Sequence, residues 1–576
     1  MALSVCEEYR ALVDKAYNKF SRLRDFPPYG QNKWDFYFRK AFQVYTKLWK
    51  FQQDNRQKLV EAGLKRWEIG EIASRIGQLY YIYYLRTSDA TFVKESYIFY
   101  EAILSREYFK EPGKDITLAN KQLRYFARFI VICLLLNRWD MVNRLVRQLH
   151  ILVEDYSSSF QNSDVKEWKT VTQEIVRFLK ADSLAELSRP IRYISALDGQ
   201  VSSFPSVSKL EGHKALRLKN AVLVSYFHNE VKFSELTLDN FRMLQCLEWE
   251  PSGSFYRMKS ATDSNAGGLL AQDIADPTLP ANPHKYILYR PNIHQLLMVL
   301  ATACEEVPPD SAVLLYLSAA GRSRAGSHDR SGVSTQFSKE ASSTDSSPDR
   351  SDALLEETPV SAGSPRRRVD GSTGLSLGRR GSNVYPGDLL PFTRRPLFII
   401  VDSDASNIFE SLCGDERGEP VVLLLSPTAK PYTAKHPGAG STFTFFLTAP
   451  LQALCQMTNV RVTELQQGSY EQAEKMVSST LLELGNLLAS SGSLNVAWGR
   501  VLGDPFLRQL LFRFVFARAC YSLHRLYVGK SEYYPRCLPP LPEEVLPRSR
   551  VVELSVLQVA RLLCVADQFI FSENGS

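Results

Sequence analysis

The stretch KYILYRPNIHQLLMVLATACEEVPPDSAVLLYLSAAG, residues 285–321, reads as strand, helix, strand. KYILYR (285–290) and SAVLLYL (311–317) are continuous apolar runs of strand length, and Ile293 to Glu306 between them has helical periodicity. Apolar strands joined by helices belong to a parallel sheet covered on both faces. The same alternation extends outward. AVLVSYF (221–227) precedes it; LFIIVD (397–402), a helix-period segment over about 405–412 and PVVLLL (420–425) follow. FTFFLT (443–448) is expected as a sixth strand, and the segments near 464–490, 504–528 and 549–570 return to helix.

The first 200 residues carry only the helical period. Trp34, Phe38, Ala41, Tyr45 and Leu48 form one stripe, Ile69, Ile72, Ile76, Leu79 and Tyr83 the next, then Val93, Tyr97, Tyr100 and Leu104. Steps of three and four put these residues on one face of each helix. FPPYG (26–30), RTSD (86–89) and EPGKD (111–115) separate the helices. Ile76-Gly77-x-x-Tyr80 resembles part of a tetratricopeptide hairpin: the glycine lets two helices approach and the tyrosine fills the space beside it.

The expected class is therefore an all-helical, repeat-like domain (1–200) followed by an α/β domain with a mostly parallel sheet and C-terminal helices (201–320 plus 386–576). Residues 321–385 hold 15 Ser and 8 Gly with few aliphatic side chains. Such a composition cannot offset its ordering entropy, so a disordered insertion is expected there. Within it, Arg366, Arg367, Arg368, Arg379 and Arg380 form a candidate nuclear import signal. Ser347, Ser364 and Ser382 are candidate phosphorylation sites. Phosphate beside those arginines would weaken the signal.

Bulk properties narrow the function classes. The longest apolar run, Phe129 to Leu136, has eight residues, against about 20 for a membrane-spanning helix. The nine cysteines form no CxxC pair, so zinc-finger spacing is missing, and Cys133, Cys304 and Cys520 read as small core side chains. Of the net charge of +7, residues 1–200 contribute 32 Lys and Arg against 24 Asp and Glu.

Open parallel sheets place chemistry at the C-terminal ends of their strands. These ends supply His228-Asn229, Arg290-Pro291, Ser318 to Gly321, Asp402-Ser403-Asp404 and Ser426-Pro427. GRSRAGSH (321–328) lacks the Lys of a phosphate loop, and no strand end carries GxGxxG. GxSxG and HExxH are also missing. LFIIVDSDAS (397–406) resembles the first motif of haloacid-dehalogenase-type phosphohydrolases, in which Asp402 and Asp404 would hold a metal ion and supply a nucleophile. That family also expects a downstream Lys and a further acidic pair near a strand end, for which only the lone Asp504 can be placed, so the favoured reading has both aspartates capping the helix that follows. No catalytic residue, cofactor or metal site is assigned.

Residues 15–50 interleave nine basic and eleven aromatic residues with two acids. Such a segment can grip single-stranded nucleic acid. The periodic aromatics are core residues first, which leaves a basic face for an acidic partner, with direct nucleic-acid contact as the lesser reading.

The block FQQDNRQKLVEAGLKRWEIGEIASRIGQLYYIYYLRTSDATFVKESYIFYEAI (51–103), together with 285–321 and PLFIIVDSDAS (396–406), resembles the SCAI family, named for suppressor of cancer cell invasion. The resemblance implies a nuclear transcriptional cofactor of corepressor type, with transcription factors, coactivators and chromatin-associated proteins as partners. In animals the family is associated with repressing transcription driven by myocardin-related coactivators and serum response factor, with lower cell migration and with DNA double-strand-break repair. It implies a nuclear location, shared with the cytoplasm, and no catalytic motif.

Overall fold

The computed structural model describes residues 4–24, 26–27, 31–110, 115–160, 164–182, 191–194, 198, 214–226, 230–250, 279–321, 374–377, 383–430, 440–461 and 468–572. Eight helices open the chain: α1 (Val5–Arg24), α2 (Gln31–Asp54), α3 (Arg56–Glu61), α4 (Arg66–Thr87), α5 (Thr91–Ser105), α6 (Ile116–Leu135), α7 (Trp139–Ser159) and α8 (Asp164–Ala181). Local chemistry sets several of their ends. Glu68 reaches back to the Lys65 N–H at 2.7 Å to start α4, which stops at Ser88 in the left-handed region (φ 58°). Asp115 accepts from the Thr117 N–H at 2.8 Å to start α6. Most of each predicted stripe is buried: Trp34, Phe38, Ala41, Tyr45 and Leu48 are each at most 2% exposed, while Tyr83 and Leu104 end the next two stripes half-buried. Gly77 lies against the Tyr100 ring, where an added Cβ would sit 3.1 Å from it.

The sheet has six strands, β1 (Arg217–Tyr226), β2 (His284–Tyr289), β3 (Ser311–Ala319), β4 (Leu397–Asp402), β5 (Val422–Leu425) and β6 (Arg536–Leu538). Their spatial order is β6-β5-β4-β3-β1-β2, with β6 the only antiparallel member. The five parallel strands thus follow the order 2-1-3-4-5 of one common doubly wound fold. Alternate residues face opposite sides. Val313, Leu315, Leu317, Ile399 and Val401 pack under α10 (Ile293–Glu305) and a 3-10 helix over Ser406–Leu412. Leu314, Tyr316, Phe398 and Ile400 face the other way. They join α9 (Leu238–Cys246), α11 (Thr442–Thr448), α12 (Pro450–Thr458), α13 (Ser469–Ser490), α14 (Pro505–Leu523) and α15 (Arg550–Leu562), and the apolar core continues into α4–α8. Of these, α14 is buried on nearly every side, Arg508, Gln509 and Arg513 included.

Two expectations need correction. FTFFLT is helical: it is α11, started by the Ser441 hydroxyl, which accepts from the Thr444 N–H. All seven of its residues are buried, and periodicity cannot separate helix from strand in a short run buried all round. The sixth strand is β6, three residues in a Pro-flanked segment that carries no strand pattern. Residues 374–377 and 383–385, assigned by composition to the disordered insertion, are packed. Leu375, Leu377 and Val384 are at most 1% exposed against the sheet, and Leu375–Ser376 pairs with Asn383–Val384.

Candidate functional site

The C-terminal ends of β1, β3, β4 and β5 converge, as the topology dictates, but they meet side chains of the chain itself. The N-termini of α9 and α11 lie over them. Thr444 of α11 donates to the Asp402 carboxylate at 2.5 Å and shares a 2.8 Å hydrogen bond with the Tyr316 hydroxyl. Ser225 at the end of β1 pairs with Thr237, the residue that caps α9, at 2.7 Å. The Ser441 N–H donates to both oxygens of Asp239, at 3.1 and 3.0 Å. Gly440, at φ +77°, makes that approach possible, because a Cβ there would lie 2.6 Å from the Asp239 carboxylate. Arg242 stands one turn from Asp239 with its guanidinium 4.0 Å over the Phe445 ring.

Electrostatics follow from this enclosure. Burial pushes the Asp239 carboxyl up to about 7; Arg242 opposes the shift and the charge of Asp402 adds to it. Burial also raises Asp402, against hydrogen bonds from Ser441 and Thr444 and a weaker pull from Lys430. A carboxyl held toward its neutral form and bonded to α11 is poorly suited to ligate a metal ion or attack phosphorus.

Asp402 and Asp404 hold different partners, and neither caps the helix after β4, whose N-cap is Ala405 without a side-chain bond. Asp404 turns away and accepts from the Gly321 N–H at 2.6 Å, tying the end of β3 to the loop after β4. Ser426 closes the same loop through the Ser403 backbone, 2.9 Å from both its N–H and its carbonyl. Asp504 lies at the opposite end of the sheet, where it caps α14 and accepts from the Leu218 N–H at the start of β1. Arg290 stacks on Tyr226 and Tyr289 at 5.0 Å each. His228 and Asn229 lie outside the described residues. Among the described residues no group of three or more His, Cys, Asp or Glu could hold a metal ion. Cys133, Cys304 and Cys520 are buried and burial raises their thiols.

Sequence reading missed a second charged cluster. Glu248, fully buried just beyond α9, accepts from the Tyr84 hydroxyl at 2.7 Å and from Arg192 Nε at 2.9 Å, and pairs with Lys285 Nζ at 3.2 Å. Arg192 also donates to the Leu135 carbonyl at the end of α6. The Lys285 N–H donates to Ser88 Oγ at 3.0 Å. This cluster locks α4 and α6 to the edge of the sheet. Nothing in the local pattern marks Glu248, because its partners lie 37 to 164 positions away.

In the basic-aromatic segment the structure separates two sets. Phe20, Trp34, Phe38 and Tyr45 are core, whereas Tyr17, Phe36 and Tyr37 are exposed, with Lys40 lying 5.5 Å over the Phe36 ring. Tyr84 is buried, while Tyr80 and Tyr83 are half-buried against Phe42 and Phe92. The import arginines and the three candidate phosphoserines lie outside the described residues. No described helix is long and apolar enough to cross a membrane.

Comparison with known proteins places this arrangement. The model of the family described as Protein SCAI matches residues 11–527. Protein SCAI of Homo sapiens is 38% identical, the match covering 98% of this chain and 89% of that one, and Protein SCAI of Mus musculus gives the same values. The Protein SCAI homolog of Dictyostelium discoideum is 31% identical over 99% of this chain and 91% of its own. No solved structure matches. With family model and relatives agreeing across nearly its whole length, the chain belongs to the SCAI family.

Proposed function

We propose that this protein is a nuclear cofactor of transcription, of corepressor type, that works by binding transcription factors, coactivators and chromatin proteins, with a further role in regulating DNA repair. The observation that carries the reading is full-length kinship with the SCAI proteins, joined to strand ends filled by the chain's own side chains. A doubly wound sheet ordinarily opens a ligand crevice where its strand order reverses, between β1 and β3. Here the Ser225–Thr237 and Tyr316–Thr444–Asp402 hydrogen bonds occupy that place. Among the described residues the sheet's own crevice is closed, which leaves other parts of the molecule to bind partners.

Proximity labelling with the full chain in nuclei tests this. Enrichment of transcription and chromatin proteins is expected; a labelled set without them would reject the reading. Purified protein is expected to show no Mg²⁺-dependent turnover on a panel of phosphate esters. Turnover that disappears in Asp402→Asn would replace the proposal with the phosphohydrolase reading.

A further inference from the structure

A cleft of about 380 Å³ opens in the N-terminal helices, bounded by α1, α2, the α3–α4 turn and α4. Tyr9 and Val13 of α1 form one wall, Leu59 and Trp67 the other, and Tyr45 and Leu48 of α2 the floor. The volume falls in the range of about 300–1,000 Å³ typical of binding pockets. At one end Arg75 crosses from α4 to lie 5.0 Å over the Tyr17 ring of α1. Tyr45, 2% exposed, sits at the floor beside Arg75, yet its hydroxyl completes no hydrogen bond of good geometry.

Two of the three acids that line the cleft are already committed, and the third, Asp14, is exposed. Glu71 is paired with Arg75 at 2.6 Å and Lys121 at 2.7 Å, and Glu68 accepts from the Lys65 N–H. The N-terminal segment that builds most of the cleft is basic as a whole. Residues 1–66 hold 14 Lys and Arg against 7 Asp and Glu, an excess as large as the net charge of the whole chain. Arg10 lines the cleft and is exposed, and Lys58 and Lys65 are exposed next to the lining residues Leu59 and Leu64, with Glu61 exposed beside Ala62. An apolar trough between two helices takes a further helix by its i, i+3, i+4 and i+7 side chains, and a positive field draws a negative partner.

We propose that this cleft is the docking site for an amphipathic helix of a partner protein, whose apolar side chains fill the space between α1 and α4 and whose outer face is acidic. The assignment rests on the protein-binding reading above and names the chemistry of the partner segment.

The probe is a fluorescein-labelled peptide of about 16 residues, long enough to approach helicity, with leucines on one face and glutamates on the other. The full-length protein is expected to bind it in anisotropy titrations. Ala62→Trp, at an exposed position in the cleft wall, is expected to weaken binding at least about tenfold without lowering Tm. Bound peptide is expected to shield Cys6, which lines the cleft, from alkylation and to leave exposed Cys564 reactive. Failure to bind, equal binding by Ala62→Trp, equal binding of a peptide with lysines in place of glutamates, or Cys6 shielding by a single-stranded oligonucleotide in place of the peptide would each overturn the proposal. Nuclear labelling separates it from the broader reading. If transcription proteins are still labelled while the peptide fails to bind, the cleft assignment falls alone. If the peptide binds and no such proteins are labelled, the cofactor reading falls alone.

Discussion

At Glu248 one carboxylate meets a phenol, a guanidinium and an ammonium drawn from three distant parts of the chain. Removing one partner from a buried ionic cluster strands the others, at about 3–5 kcal/mol. Glu248→Ala is expected to lower stability by about that amount in urea denaturation. Tyr84→Phe, which removes one hydrogen bond to a charge, should cost about 1.5–3 kcal/mol. Equal losses from the two would show that Glu248 is not the hub. Asp239 makes a pH prediction. Its carboxyl titrates near 7 in the fold against 3.8 when unperturbed. Between those values the native state holds a proton that the unfolded chain has released, so stability falls as pH rises through about 4 to 7. Asp239→Asn is expected to flatten that slope. An unchanged profile would mean that Asp239 does not set it.

At the scale of elements, close helix contacts rest on small residues. A Cβ at Gly70 of α4 would lie 2.7 Å from the Tyr108 Cβ, so the helix or the segment after α5 must move. Gly70→Ala is expected to destabilise by about 1–3 kcal/mol, although alanine favours a helix by about 1 kcal/mol. A rise in Tm would contradict the packing described. The helices and strands themselves were largely legible. Each amphipathic helix shows its period, and β1–β5 show the continuous apolar runs of a covered sheet. The misplaced sixth strand has one cause. Where burial is complete on all sides, as in α11, or where a strand is three residues long, as in β6, no period survives to be read. Asp402 illustrates the same limit for the site. Its position at a strand end was evident from LFIIVD, but its partner Thr444 sits 42 positions later in a segment misread as strand.

For the whole molecule, one apolar core runs from α4–α8 through the sheet to the C-terminal helices. Probes placed in α5–α7 and in the sheet are therefore expected to report a single thermal transition; two separated transitions would show that this core is divided. Import is a separate question for the whole chain in the cell. Replacing Arg366, Arg367, Arg368, Arg379 and Arg380 by alanine is expected to shift fluorescence of the tagged protein from nucleus to cytoplasm, and unchanged nuclear signal would reject those residues as the import signal. The sequence by itself determined the order of helices and strands, the parallel character of the sheet and the family, because apolar periodicity and residue identity are local properties. Only the tertiary structure decided that the strand ends are closed, that Asp402 and Asp404 point to different partners, that Glu248 binds the front helices to the sheet, and that a cleft lies between α1 and α4. Those outcomes depend on which distant side chains share a buried space, and topology, not spacing along the chain, brings them together.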